Sequence, residues 1–167
     1  IGEALALFDS DVDLKNRIIY VNKNYDSKSN ETGYPKTSAS NREVYMQDEL
    51  YVLCRRIHVS MQQERMLTGI RTNLFFSDVS GHHLNYFSYN KCLRETAKKV
   101  LDKDISITSH VMRHTHVALM AEQGVPLDVI SRRLGHSDSK VTMEIYFHVT
   151  QKMKERDNQR IKNIQIL

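Results

Sequence analysis

SHVMRHTHVALMAEQGVPLDVISRRLGHSDSKVTMEIY, residues 109–146, decides the fold. Thr108 or Ser109 can cap a helix over residues 110–123, because a hydroxyl ahead of an apolar-periodic run accepts an N–H that the helix itself leaves unsatisfied. Gly124 stands in the stop position, Pro126 opens a short second helix with its φ already set, and Gly135 closes it. A further helix starts at Ser139, and Thr150 stands where a separate, basic terminal helix would be capped.

The upstream segments extend this helical reading and add a small sheet. Asp48 is a plausible N-cap, after which Leu50, Leu53, Cys54, Ile57 and Met61 recur at helical spacing as one apolar face. Leu74, Phe75 and Phe76 form a short segment with a buried character, and GHHLN at 81–85 precedes a helix whose Tyr89, Cys92, Leu93, Thr96, Ala97 and Val100 share a face. Only before Met46 does the period fall to two. Residues 17–21, RIIYV, are β-branched and aromatic; residues 34–37 and 42–46 are two more short strands around the turn at 38–41. The polar run between them, residues 22–33, reads as a loop. The fold class expected is α+β, mainly α-helical, with a small antiparallel sheet.

Composition narrows the function classes. At 167 residues the chain suits one domain. With 40% hydrophobic and 26% charged residues and a mean hydropathy of −0.51, it has the balance of a folded soluble protein. No apolar run approaches the roughly 20 residues that span a bilayer, which argues against a membrane partner. Six glycines and two prolines are few for a turn-dense β-sandwich. Cys54 and Cys92 lie in helical segments without metal-ligand spacing, as expected of reduced core residues in a cytoplasmic protein. The net charge of +4 is unevenly spread: the first fourteen residues carry only acids (Glu3, Asp9, Asp11, Asp13), leaving +8 on the remainder. A basic balance of this kind is compatible with a polyanionic partner. The chain starts at IGEALALF, inside a helical pattern and without Met, as a fragment of a longer protein would.

Two turns of the 110–123 helix hold most of the candidate chemistry. His110, Arg113 and His114 share a face, since residues three and four apart are neighbours on a helix. His110 and His114 have zincin spacing, but Val111 occupies the place where that motif needs its general-base Glu. An Arg one turn from a His is a different device, because together they offer a phosphate a bidentate fork and a proton-transfer group. His136 follows Leu134-Gly135 just past a helix end, and Tyr146 lies ten residues later between Ile145 and Phe147. Taken singly, His136 reads as structural, Tyr146 as a core tyrosine and Lys36 as a solvated hairpin lysine.

As an ordered set, a hairpin Lys, HxxR, LGH and a Tyr ten residues on, the sequence resembles the catalytic domain of tyrosine recombinases, the integrases of phages and mobile elements. The resemblance covers nearly the whole chain and makes residues 1–167 an integrase catalytic domain whose start and upstream DNA-binding modules are absent. It implies that Tyr146 attacks a scissile DNA phosphate to form a 3′-phosphotyrosyl link. Arg113 then neutralises the phosphate, His110 accepts the tyrosine proton or bonds the phosphate, His136 donates to a phosphate oxygen and Lys36 protonates the departing 5′ oxygen. Glu3 fits the acid of the family's RxxE pattern, which sets the first catalytic Arg immediately before Ile1. No metal, nucleotide or other cofactor is implied. The implied partners are double-stranded DNA attachment sites and, on DNA, a synaptic tetramer. Two other readings stand beside it. Residues 121–146 can be taken as a helix-turn-helix of a non-catalytic DNA-binding regulator, and a type IB topoisomerase shares the chemistry but fits LGH and the short spacing to Tyr146 less well.

Overall fold

The computed structural model describes residues 1–34, 40–101, 107–135 and 140–164. The chain gathers into two compact units, Ile1–Ser106 and Ile107–Leu167.

The first unit opens with a single helical turn, α1 (Gly2–Leu5), and a 3-10 turn at Asp9–Asp11. Strands β1 (Val12–Asp13), β2 (Ile18–Val21) and β5 (Arg42–Tyr45) form an antiparallel sheet in the order β1-β2-β5, with Ile19 opposite Val44 and Ile18 opposite Tyr45. In β2 the period-two pattern turns Ile19 and Val21 inward, where they join Leu7, Val12, Met46, Cys54 and Phe75 in the core. Helix α2 (Asp48–Thr68) covers it with Leu50, Tyr51, Cys54 and Ile57, and ends at Gly69 in the left-handed region. Sheet and helix are joined through Arg17, which holds φ 58° in the β1–β2 turn. Its carbonyl accepts from Met46 N–H at 2.8 Å, its guanidinium pairs with Asp48 at 2.5 Å, and its Cζ lies 4.4 Å from the centre of the Tyr51 ring.

Strands β3 (Asn24–Asp26) and β4 (Glu31–Gly33) form a hairpin inside the stretch read from sequence as a loop. Its anchor is one buried side chain. The Tyr25 ring stacks on His83 with centroids 3.9 Å apart, and its hydroxyl donates to Asn30 at 2.5 Å. His83 in turn meets the Leu5 carbonyl at 2.9 Å through Nδ1 and Thr32 at 3.3 Å through Nε2. Gly2 permits this packing, because a Cβ there would fall 2.8 Å from the Tyr25 carbonyl oxygen.

In α3 (Tyr86–Leu101) the buried residues are Asn90 and Ala97, whereas Tyr89, Cys92 and Val100 are exposed. The inward face is thus rotated from the apolar stripe read from sequence. Asn90 tolerates burial because its side-chain N–H donates to the Tyr86 carbonyl at 3.2 Å. Cys54 is buried as expected, but Cys92 is not a core residue.

Among the described residues the second unit comprises three helices, α4 (Ser109–Glu122), α5 (Leu127–Leu134) and α6 (Lys140–Lys162), with α4 packed on both others. Val117, Ala121, Ile130 and Leu134 form its core, flanked by Met120, Val125, Ile145, Tyr146 and Val149. Helix α6 runs unbroken through Thr150. That hydroxyl bonds back to the Tyr146 and Phe147 carbonyls at 2.9 and 3.1 Å, so it spends its capping capacity inside one helix instead of starting another.

Candidate active site

Arg113 and Tyr146 arrive at the second unit's core from different helices. Arg113, half-buried on α4, donates from a guanidinium nitrogen to the Leu134 carbonyl in the last turn of α5. Leu134 is itself a core residue, and the half-buried Tyr146 of α6 packs against the cluster to which it belongs. Tyr146 also meets Phe147 edge to face, with ring centres 6.3 Å apart. The acceptor carbonyl exists because α5 stops there: Gly135 takes φ 67° and turns its N–H back to the Ser131 and Arg132 carbonyls, and the Leu134 carbonyl, past the last helical turn, accepts from Arg113 instead.

His110, one turn before Arg113, is exposed at the start of α4, as is His114. An exposed imidazole beside a partly sheltered guanidinium presents two donors to an approaching anion. Lys36 and His136 lie outside the described residues. Glu3, in the first unit, is gripped by both ends of one guanidinium: Arg42 Nη1 donates to Oε1 and Nη2 to Oε2, each at 2.8 Å. A planar fork on a carboxylate gives such a pair its geometric definition.

Sequence reading missed His116 and Arg133. Arg133 Nε donates to His116 Nε2 at 3.3 Å, across from α5 to α4. Burial foremost, then the neighbouring charges of Arg133 and Arg113, push the His116 imidazole below its ordinary pKa of 6.5. No local motif marks this pair, since its members stand apart in sequence and only the packing of α4 on α5 joins them.

Residues 1–153 match the profile of the Phage integrase family. The chain belongs to that family. The integrase of Staphylococcus phage L54a is 30% identical over 171 residues, covering 98% of this chain and 48% of the relative. The prophage ps2 probable integrase of Lactococcus lactis is 32% identical over 164 residues, covering 92% of this chain and 42% of that protein. The chain therefore spans about half the length of the curated relatives it matches. Among solved structures, the Tn1549 transposon integrase in complex with transposon right end DNA superposes with a TM-score of 0.72 at 23% identity, over 93% of this chain and 53% of that one. XerA recombinase gives 0.68 at 22% identity, over 93% and 52%. The α+β, mainly helical fold of this phage integrase family member is thus the fold of tyrosine recombinases. None of its described helices is long and apolar enough to cross a membrane.

Proposed function

We propose that this chain is the catalytic part of a site-specific tyrosine recombinase that cuts and rejoins double-stranded DNA. Tyr146 attacks the scissile phosphorus through its phenolic oxygen, the bond to the 5′ oxygen breaks, and a 3′-phosphotyrosyl link holds the strand until another 5′ hydroxyl reverses the step. A phenol ionises near pH 10, so the attack needs a proton acceptor and the phosphorane needs its charge neutralised. His110 takes the tyrosine proton or bonds the phosphate, Arg113 offers a fork to two nonbridging oxygens, His136 donates to a phosphate oxygen, and Lys36 supplies the proton that leaves with the 5′ oxygen. These side chains handle all charge and protons, so the reaction as proposed uses no cofactor. Glu3 is taken as the acid of the RxxE pattern, with the first arginine one residue before Ile1. The partners proposed are DNA attachment sites in the cytoplasm and a tetramer in the synaptic complex.

One observation carries the reading: the HxxR arginine and the tyrosine meet the same small core, Arg113 through the Leu134 carbonyl and Tyr146 through the cluster containing Leu134. The names of the relatives support it. The test uses the intact integrase and a nicked suicide duplex taken from the ends of its own element. A covalent protein–DNA adduct should form, and Tyr146→Phe should abolish it with little change in duplex affinity. A core tyrosine in a non-catalytic regulator predicts that the Phe variant behaves like its parent. An adduct surviving Tyr146→Phe would move the nucleophile to another tyrosine, such as Tyr86 or Tyr89.

A further inference from the structure

The last turn of α5 is tied to α4 by two bonds running in opposite directions. Arg113 on α4 donates to the Leu134 carbonyl, and Arg133, next to Leu134 in sequence, donates through Nε to His116 at 3.3 Å. Arg113 and His116 are three residues apart, on neighbouring positions of one helix face. The two bonds therefore close a clasp around a single helix end. Imidazole accepts only at a nitrogen without a proton, so the bond to Nε2 specifies a neutral ring with its hydrogen on Nδ1. Two guanidinium groups beside a partly buried ring favour that same state.

From this reciprocal pair we infer that His116 is a positioning residue for DNA cleavage: as a neutral acceptor it fixes Arg133, and through Arg133 the Leu134 carbonyl that orients Arg113. The role depends on Arg113 meeting the phosphate as proposed above. Without the acceptor, the bond from Arg133 to His116 is lost, and with it one tie between the end of α5 and α4. That end is backed by Gly135, whose backbone has no Cβ to stiffen it. The Leu134 carbonyl then shifts relative to α4, and with it the contact that it offers the Arg113 guanidinium. Misplacement of a catalytic group by about 1 Å can cost on the order of 10²-fold in rate.

The test again uses the intact integrase and the nicked suicide duplex, with three readouts: rate of covalent adduct formation, duplex affinity and melting temperature. His116→Leu should slow adduct formation by about 10- to 100-fold while affinity and melting temperature stay near the parent's. His116→Gln, whose Oε1 can accept near the place of Nε2, should recover most of the rate. Arg133→Lys keeps the charge but lacks the Nε donor, so it should match the Leu variant, and combining the two should cost nothing further. Equal rates in the Leu and Gln variants, or losses that multiply in the double variant, would overturn the assignment. Should His116→Leu fail to fold, Arg133→Lys decides: a parent-like rate there also overturns it. Tyr146→Phe keeps the two readings apart. An adduct that survives that change removes the catalytic reading, whereas an adduct lost there but formed at the parent's rate in His116→Leu removes only the role of His116.

Discussion

Ile130→Ala strikes the point on which the second unit's stability and the proposed placement of Tyr146 and Arg113 both rest. Ile130 is 0% exposed, between Val117, Ala121 and Leu134. Truncation to Ala removes three carbons, worth about 2.4 kcal/mol of transfer free energy at ~0.8 kcal/mol each. A cavity term adds to this, because a cluster with four buried members can collapse only partly, and the total falls at about 3 kcal/mol, within the 2–5 typical of such changes. Hydrogen exchange localises the effect to the unit concerned. The slowest amides of α4 and α5 should exchange about a hundredfold faster, since ~1.4 kcal/mol corresponds to a factor of ten. Val52→Ala on α2, at a side chain 53% exposed, should leave exchange there unchanged. Loss of less than about 1 kcal/mol in the Ile130 variant would mean that this cluster does not hold the helices together, and the reasoning that seats Tyr146 and the Leu134 carbonyl on it would fall.

Arg113→Lys in the intact integrase should lower the rate of adduct formation by about 10²–10³-fold despite keeping its charge, because an ammonium cannot supply the fork; a parent-like rate on the suicide duplex would contradict this. The folded-state pKa of His116 lies below its unfolded value of 6.5, so the unfolded chain binds more protons in that range. The free energy of unfolding should accordingly fall as pH drops through about 6.5 towards the folded pKa, and His116→Gln should flatten that part of the profile in urea melts between pH 5 and 7. Thr150→Ala should change melting by no more than about 0.5 kcal/mol, because the hydroxyl bonds within α6; a loss near 1 kcal/mol would signal a cap.

Backbone chemistry made the second unit legible. Gly124 and Gly135 do sit at positive φ, 74° and 67°, and Pro126 does precede α5 with extended geometry, so the end of α4 and both ends of α5 are written in residues whose backbone preferences are distinctive. The alternation of Ile18 to Val21 was legible for a similar reason, because a strand between a core and solvent has only two faces. The β3–β4 hairpin was not, since its stability is not local: Tyr25 is buried by stacking on His83, a partner 58 positions away that no period in residues 22–33 encodes. Thr150 misled because one hydroxyl can cap a helix or bond back within one, and only the continuity of α6 distinguishes the two.

The candidate site divides along the same line. Ordered spacing is what puts His110, Arg113, His136, Tyr146 and Lys36 forward as the proposed set, because a phosphate-directed site needs particular functional groups and the chain presents them in a recognisable order. Spacing says nothing about how a guanidinium is aimed. In the folded unit Arg113 donates to a backbone carbonyl, available because Gly135 ends α5 one residue later, and the same helix end is tied to α4 by a histidine and a second arginine. A neutral acceptor between two cations arises only from burial and packing. Such a device is therefore invisible to any reading that treats residues one at a time, and under the proposed role of Arg113 it makes the geometry of that arginine depend on a side chain that need never touch DNA.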